Sequence, residues 1–433
     1  MRTLHAYLNG QRVGTLSEGD DLWQFRYDPA WINAPGSFDL SPALNRTALV
    51  HEDGGSLRPV QWYFDNLLPE EALREALIKE SGIKGDDAFA LLQYLGAESA
   101  GSLVLLPPGA DASPPGGLRA LADASLSQRI RDLARVSLST GAAKQMSVAG
   151  AQHKLLVVYQ DGQLFEPMGG EPSTHILKPN HQSDDYSASV INEYAMQRLG
   201  AMLGLGSPPV HRRYVPEPVY FIQRFDRFSA EHGVTQRRHV IDACQLLNKS
   251  RSFKYASTSL QTLADCIAQC RNRVAARLQL YRWLVFNVLT GNDDNHLKNI
   301  SFMVSDQGIE VAPPYDMLCT AVYRTKAFAD ERANWPDVKL MIGLPGATTF
   351  GQVRRQSVLD AGIALGLSRR ISERELNGLT AALPQALEVV RTDIDAQNKG
   401  YPPPVKPFLA GEMRVLRAIE NIVVPFMLRG VKA

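Results

Sequence analysis

The polar segment GNDDNHLKN, residues 291–299, constrains this chain more than any other stretch. It follows an apolar run at residues 278–289, whose length and composition predict a helix. After it, ISFMV and GIEV predict two short strands joined by a turn at residues 306–308. Because the second strand runs back toward the start of the first, Asp316 is expected beside the polar segment. The sequence therefore predicts a helix end, a polar loop and one more acid in one place.

Two residues of this segment have the spacing of a phosphoryl-transfer loop. Asp294 and Asn299 are five positions apart, like Asp and Asn in the D-x-x-x-x-N loop of protein kinases. There the carboxylate receives the proton of the substrate hydroxyl, and the amide oxygen holds Mg²⁺. Asp316 would be the second ligand, since phosphate and water complete the magnesium shell. A solvated helix-capping loop is the alternative, and Asp293 competes for the role of base without having the spacing.

A lysine on a predicted strand could bind phosphate. Lys178 precedes the helix that carries Glu193, and in kinases a strand lysine contacts the ATP phosphates and is held by a helix carboxylate. A surface lysine on an edge strand is the alternative. The segment SVAGAQHK, residues 147–154, matches neither common glycine-rich motif. Small residues at 149–151 would still let backbone N–H groups approach a phosphate, with Lys154 adding charge, although a tight turn is the simpler interpretation.

The first part of the chain predicts a small module of mixed class. Residues 1–106 alternate in short strands around an Asn9-Gly10 turn, and then change to helices and a closing strand. Residues 107–117, PPGADASPPGG, can sustain neither helix nor sheet and predict a linker.

The rest of the chain predicts two further parts. Residues 118–258 contain a hairpin, a lysine-bearing strand, a helix, one strand over residues 219–228 and a connector. This is the order of elements in the small lobe of a kinase. Residues 259–433 are mostly helical in pattern, apart from the hairpin described above.

The composition excludes several classes of protein. The 46 basic and 45 acidic residues nearly cancel, so no global field favours nucleic acid or a membrane surface. We find no apolar run long enough for a transmembrane helix and no targeting segment, and expect a cytoplasmic protein without membrane contact. Four cysteines suit a reducing compartment. Cys266 and Cys270 are expected to be core thiols, because no second Cys/His pair lies nearby to complete a metal site.

Seven short motifs occur in the order found in the HipA family, the toxin kinases of bacterial HipBA toxin–antitoxin modules. FDNLLPE at residues 64–70 also resembles the N-terminal subdomain of that family, so the resemblance covers nearly the whole chain. It implies an α+β, two-lobed protein-kinase-like fold with an added N-terminal subdomain, a β-rich first part and a mostly helical C-terminal lobe. The motifs are SVAGAQHK, THILK, IQRFDR, ACQ, DNHLKN, PPYD and DVKLMIGL.

The resemblance also implies roles for individual residues, with ATP and Mg²⁺ as cofactors. Asp294 corresponds to the catalytic base, Asn299 and Asp316 to the magnesium ligands, and Ser147 to a serine that the family autophosphorylates. Phosphate on that serine expels the phosphate loop and inactivates family members, as charge repulsion from ATP would favour. The implied ATP contacts are Ala149, Gly150, Ala151, Gln152, His153, Lys154, Lys178, Gln223, Arg224, Phe225, His296, Lys298, Asn299, Tyr315 and Asp316.

Three positions depart from the family pattern without removing a catalytic group. Gln223 replaces an acid at the adenine hinge, Asn295 replaces a glycine of the catalytic loop, and His153 replaces an acid beside the phosphate loop. An active enzyme is therefore expected. Asn295 suits its position because asparagine tolerates left-handed backbone better than most residues.

The resemblance further implies partners and a target. The partners are a HipB-type helix-turn-helix antitoxin and, through that complex, operator DNA. The implied target is an aminoacyl-tRNA synthetase, with glutamyl-tRNA synthetase the best-known case, whose phosphorylation stops translation and promotes persistence. Two alternatives stay open: a small-molecule phosphotransferase, and a co-repressor with an inactive ATP site.

Overall fold

The computed structural model describes the whole chain apart from residues 100, 145, 147–148, 151, 231–232 and 433. Its first half mixes short strands with short helices. In chain order the elements of this half are β1 (Arg2–Leu8), β2 (Gln11–Gly19), β3 (Leu22–Tyr27), α1 (Pro29–Ile32), β4 (Val50–Glu52), α2 (Pro59–Asp65), α3 (Glu71–Ser81), α4 (Ala88–Leu95), β5 (Val104–Leu106), β6 (Gly117–Ala120), α5 (Asp123–Arg131), β7 (Leu155–Gln160), β8 (Gln163–Met168) and β9 (His175–Pro179).

The second half contains the longest helices and several strand pairs, so the predicted α+β class is confirmed. Its elements are α6 (Ser189–Met202), β10 (Val210–Tyr214), β11 (Pro218–Gln223), β12 (Arg227–Ser229), β13 (Thr235–Arg237), β14 (His239–Asp242), α7 (Ala243–Leu246), α8 (Leu260–Gln269), α9 (Arg273–Thr290), β15 (Ser301–Ser305), β16 (Gly308–Val311), α10 (Lys326–Ala329), β17 (Lys339–Leu344), β18 (Ala347–Thr349), α11 (Arg355–Ala364), α12 (Arg369–Asn398), α13 (Lys406–Ala418) and α14 (Val424–Lys432).

The chain divides into two compact units. Unit 1 comprises Met1–Lys178, Gln223–Lys254 and Ser301–Ala312. Unit 2 comprises Pro179–Ile222, Tyr255–Ile300 and Pro313–Ala433. Each unit therefore collects segments that are far apart in the sequence. The domain boundaries given above, with a linker at residues 107–117, stay predictions.

Unit 1 begins with an antiparallel sheet of strand order β4-β3-β2-β1-β5. In its first turn Asn9 has φ 49° and Gly10 has φ 81°, the left-handed conformation that Asn-Gly supplies in a two-residue hairpin. The predicted hairpin is therefore confirmed. Phe25 of β3 packs against Phe64 of α2 with ring centroids 5.6 Å apart, and both are fully buried. The core of this sheet thus lies between its strands and the helix that follows.

A second antiparallel sheet in unit 1 contains β6, β8, β7 and β9 in that order. The predicted Asp161-Gly162 turn joins β7 to β8, with φ values of 52° and 76°. Leu155 of β7 pairs with Leu177 of β9. Because side chains alternate along a strand, Lys178 projects from the face opposite to Leu177.

The single strand predicted over residues 219–228 is wrong, because the chain forms two strands there. β11 ends at Gln223 and β12 begins at Arg227. In a continuous strand Asp226 and Arg227 would point to opposite faces. Both side chains are instead buried and form an ion pair, with Arg227 Nη1 2.8 Å from Asp226 Oδ2. This pairing requires the turn that interrupts the strand.

The helical C-terminal part contains a hairpin that the sequence pattern did not predict. β17 and β18 pair antiparallel between residues 339 and 349. Within β17, Ile342 and Leu344 are buried while Gly343 is exposed. This alternation covers only three residues, which is too short a pattern to predict a strand within a mostly helical part of the sequence. The helices themselves are confirmed. The Tyr281 hydroxyl of α9 lies 3.3 Å from the carbonyls of Val358 and Ser372, so that its single proton can be donated to either.

Two further features are the apolar length of the helices and the state of the thiols. No helix in the described part of the chain is both long enough and apolar enough to cross a membrane. Cys244, Cys266, Cys270 and Cys319 are all buried and unbridged. The interpretation of Cys266 and Cys270 as core thiols is confirmed.

A buried histidine predicts how the stability of unit 1 depends on pH. His239 Nε2 lies 2.8 Å from the Leu40 carbonyl, and Nδ1 lies 2.7 Å from Ser102 Oγ. Burial lowers the pKa of His239 from 6.5 to about 4. The unfolded chain therefore takes up a proton near pH 6.5, while the folded chain does so only near pH 4. Stability is lost as the pH falls through this range.

Replacing His239 with glutamine should remove that pH-dependent loss. We expect wild type to lose up to about 3 kcal/mol more than His239→Gln between pH 7 and pH 4. Denaturant unfolding curves at pH 7, 5.5 and 4 measure the difference. An equal loss in both proteins would show that His239 is not the titrating group.

Candidate active site

The helix before the polar loop, residues 291–299, ends at a glycine that the fold requires. α9 ends at Thr290, and Gly291 follows with φ 68°, a left-handed conformation that favours glycine. A Cβ at this position would lie 2.7 Å from Val423 Cγ1 and 2.9 Å from Ala321 Cβ. Backbone conformation and packing therefore both oppose a side chain here. The chain leaves α9 in one defined direction.

Side-chain hydrogen bonds hold the first half of the polar loop. Asn292 Nδ2 donates to Asn287 Oδ1 at 2.7 Å, and Asn292 Oδ1 accepts from the Asp294 N–H at 3.0 Å. The Asp293 N–H donates to Thr320 Oγ1 at 2.7 Å. Sequence reasoning missed Asn287 and Thr320, because supporting contacts from other elements leave no local pattern. Since Asn287 and Asn292 are buried, losing either partner would leave a polar group unsatisfied.

The two residues singled out by their spacing lie together. The Asp294 carbonyl accepts from Asn299 Nδ2 at 2.8 Å and from the His296 N–H at 2.9 Å. Because Nδ2 is used in this way, Oδ1 is the amide atom of Asn299 that remains for a metal ion. The Asp294 side chain is 51% exposed, so its carboxylate can meet a substrate hydroxyl from solvent.

Asp293 is in a different environment from its neighbour. Burial raises the pKa of Asp293, although the hydrogen bond with Thr320 and the charge of Arg324 act in the opposite direction. Asp294, which is half exposed and has the spacing to Asn299, stays the predicted base.

The chain rejoins the polar loop after the β15–β16 hairpin. The Tyr315 hydroxyl donates to the Lys298 carbonyl at 2.7 Å. Asp316 follows with φ 50°, a left-handed conformation that costs a non-glycine residue about 1 kcal/mol or more. Such strain persists only where the surrounding structure imposes it, and it is frequent at active sites. The second acid thus returns next to a residue anchored on the polar loop.

Glu193 lies in the same unit as Asp316. Burial raises the pKa of Tyr220 well above its usual range, and the neighbouring carboxylates of Glu193 and Asp316 act in the same direction. The predicted pairing of Glu193 with Lys178 joins residues of different units and stays a prediction.

The donor groups of Asn299 and Asp316 suit a magnesium ion. Both offer oxygen atoms, which Mg²⁺ prefers, and Mg²⁺ commonly takes only one or two protein ligands when phosphates and water supply the rest. Within the described residues, no group of three or more His, Cys, Asp or Glu side chains could hold a metal ion. A site completed by protein carboxylates alone is therefore not present in that part of the chain.

The phosphate-loop candidate lies in unit 1, and part of it is described. Lys154 Nζ donates to the Ala149 carbonyl at 2.5 Å, which folds the segment around Gly150. Gly150 has φ 108°, and its carbonyl accepts from the Glu70 N–H at 3.3 Å. Gln152 and His153 are half-buried. The predicted Ser147 and Ala151 lie outside the described residues.

Lys178 and the hinge candidates are also in unit 1. Lys178 is 5% exposed on β9, so the alternative of a surface lysine is wrong. Gln223 is exposed and Phe225 half-buried at the turn between β11 and β12. Arg224 is buried, with Nη2 2.7 Å from Asp226 Oδ2. Its side chain supports the turn, so a nucleotide contact from Arg224 would involve its backbone.

A buried cluster around Glu98, which sequence reasoning missed, adjoins the hinge candidate within unit 1. Glu98 has no exposed surface. Its carboxylate lies 3.0 Å from Lys144, 3.1 Å from Arg227 and 2.6 Å from Arg237. Burial alone would raise the pKa of Glu98, but the surrounding cations outweigh burial and hold the pKa well below its usual range. No local motif marks Glu98, because its partners come from separate segments.

Comparison with known proteins assigns the chain to a family. The HipA N-terminal domain family matches residues 4–106, and the HipA-like C-terminal domain family matches residues 146–386. Y4mE of Sinorhizobium fredii, named as a kinase candidate, is 32% identical over 411 residues, covering 90% of this chain and 92% of that protein. The serine/threonine-protein kinase toxin HipA of Shewanella oneidensis is 32% identical over 348 residues, covering 74% of this chain and 76% of that protein.

A solved structure extends the similarity to the fold. It is the complex of HipA, HipB and operator DNA from Shewanella oneidensis MR-1. The match has a TM-score of 0.77 at 27% identity and covers 98% of this chain and 99% of the solved chain. The predicted two-lobed, kinase-like fold is thereby confirmed. With matching N- and C-terminal domains and relatives that align along most of its length, this chain belongs to the HipA family.

Proposed function

We propose that this chain is the toxin of a type II toxin–antitoxin module and acts as an ATP- and Mg²⁺-dependent serine/threonine protein kinase. The observation that carries the proposal is the polar loop. Its half-exposed Asp294 is bonded through its carbonyl to Asn299, and Tyr315 ties the segment bearing Asp316 to the same loop. The name of the Shewanella relative supports the same activity.

In this proposal each group has one role in phosphate transfer. Asp294 orients the acceptor hydroxyl and receives its proton. Asn299 and Asp316 would hold Mg²⁺, which when bound offsets the charge on the phosphate oxygens of ATP. Lys178 and the backbone around Gly150 would hold the ATP phosphates, with residues 223–225 at the adenine. His296, Lys298 and Tyr315 would complete the nucleotide contacts.

The proposed partners follow from the solved relative, which was crystallised as a complex with HipB and operator DNA. We propose a HipB-type antitoxin as the partner of this chain, with operator DNA bound through that complex. The proposed substrate is an aminoacyl-tRNA synthetase, with glutamyl-tRNA synthetase the first candidate, so that phosphorylation inhibits translation and promotes persistence. Incubating the purified chain with each synthetase and labelled ATP tests this choice directly.

Autophosphorylation provides a test that needs no substrate. After incubation with ATP and Mg²⁺, we expect the intact mass of wild type to increase by one phosphate, with peptide mapping locating it at Ser147. Ser147→Ala should gain none at that peptide. Ser252→Ala, which alters an exposed serine elsewhere in unit 1, should be modified like wild type. An unmodified wild-type protein, or phosphate only at other residues, would contradict self-inactivation through Ser147.

Experiments on the same protein distinguish the kinase from the two alternative functions, a small-molecule phosphotransferase and an inactive co-repressor. Phosphate transfer to sugars or antibiotics, with no protein labelled, would indicate a small-molecule phosphotransferase. Normal binding to antitoxin and operator DNA, together with harmless expression in the absence of antitoxin, would indicate an inactive co-repressor. Toxicity that disappears in Asp294→Ala would support the kinase.

A further inference from the structure

The catalytic-base candidate has a tyrosine neighbour from outside the polar loop. The Tyr255 hydroxyl donates to Asp294 Oδ1 at 3.3 Å. The Tyr255 ring also meets His296 edge-on, with ring centroids 4.8 Å apart and planes at 84°. Tyr255 is 44% exposed. An exposed aromatic side chain thus contacts the carboxylate to which the proposed function assigns the proton transfer.

The segment that carries Tyr255 is itself held in place. Thr258 Oγ1 accepts from the Leu297 N–H at 3.2 Å, which adds a second bond to the polar loop. Thr262 of α8 donates from Oγ1 to the Ser257 carbonyl at 2.6 Å. The first turn of α8 therefore anchors residues 255–258, and this segment contacts the polar loop at Asp294, His296 and Leu297. A side chain supported in this way can restrict the orientation of the group it contacts.

Tyr255 and His296 both lie near the Oδ1 atom of the Asp294 carboxylate. Asp294 Oδ1 is 3.3 Å from the Tyr255 hydroxyl and 4.0 Å from His296 Nε2. Asp294 is half exposed, so without such contacts its carboxylate would rotate among several orientations. A hydrogen bond at Oδ1 therefore restricts the orientation of the carboxylate that receives the proton. The orientation of a base affects the rate of the chemical step, because misplacement of a catalytic group slows that step.

We propose that Tyr255 is a positioning residue for the phosphate-transfer step, acting through Asp294 Oδ1. The proposal rests on the kinase function proposed above and adds a residue outside the polar loop to its machinery. Because Tyr255 acts on the base and not on the nucleotide, its loss should slow the chemical step and leave the affinity for ATP unchanged.

The test compares Tyr255→Phe with wild type in transfer of labelled phosphate from ATP to protein. We expect kcat to fall about fivefold to tenfold, which corresponds to one hydrogen bond, and the KM for ATP to stay within about twofold. Tyr401→Phe is the matched control, since Tyr401 packs against Tyr214, 4.5 Å between ring centroids, in the same unit. It should retain the wild-type kcat. Thermal unfolding of all three proteins checks that the fold is unchanged.

A double-mutant cycle tests the route of the effect. In an Asp294→Asn background, Tyr255→Phe should cause no further loss of rate, because the group it positions is no longer a base. Equal losses in both backgrounds would overturn the proposal, as would a kcat of wild-type size or larger in Tyr255→Phe. A wild-type protein that transfers no phosphate at all would instead refute the proposed function, and this inference with it.

Discussion

Replacing Asp294 with asparagine is expected to lower kcat for phosphate transfer by about 10²- to 10⁴-fold, the usual contribution of a general base. Asparagine has the same shape but cannot accept the proton, and the backbone bonds of Asp294 to Asn299 and His296 do not involve the altered atoms. The fold should therefore be retained. Labelled-phosphate transfer under saturating ATP measures the rate, and circular dichroism checks the fold.

The adjacent Asp293 provides the control. Asp293→Asn should keep kcat within about tenfold of wild type, because Asp293 lacks the five-residue spacing to Asn299 that Asp294 has. Burial raises the pKa of Asp293, so its ionised form destabilises the fold once the pH exceeds that raised value. At pH 7 the asparagine variant should thus be at least as stable as wild type. If Asp293→Asn were the inactive variant and Asp294→Asn active, the assignment of the base would be wrong.

Among the substitutions proposed for this protein, Glu98→Ala should lower the free energy of unfolding the most. The change leaves Lys144, Arg227 and Arg237 buried without their shared carboxylate, and breaking a buried ion pair from one side commonly costs about 3–5 kcal/mol. Because the pKa of Glu98 is held well below its usual range, its stabilising effect is fully present above the unfolded pKa. The loss should therefore be the same from pH 8 to pH 6.

Denaturant unfolding of Glu98→Ala and of a surface control measures this difference. Glu373 pairs with Arg369 at 3.0 Å on α12, but the two side chains are 39% and 55% exposed. Glu373→Ala should therefore cost no more than about 0.5 kcal/mol. A similar small cost for Glu98→Ala would show that water or rearrangement compensates the buried cations.

Local patterns in the sequence predicted most of the secondary structure. Asn9-Gly10 and Asp161-Gly162 each adopt the left-handed turn that such pairs favour, and the apolar run before the polar loop is the end of α9. The strand over residues 219–228 was predicted wrongly, because a buried pair between Asp226 and Arg227 imposes a turn there. That pair lies beside two other buried charges, Arg224 and Glu98, and a strand pattern does not represent such contacts.

By itself, the sequence determined the hairpin turns at Asn9-Gly10 and Asp161-Gly162, the helix end at Gly291 and the candidate site residues of the polar loop and of residue 316. Each of these depends on neighbouring residues or on fixed spacing. Tertiary structure alone decided which groups support them. Asn287, Thr320 and Tyr255 hold the polar loop from other elements, and Glu98 gathers its cations from distant segments. Such contacts depend on burial and on direction in space, which short-range patterns do not record. Asp294 was thus identifiable from spacing, while its exposure, and the tyrosine that contacts it, became visible only in the fold.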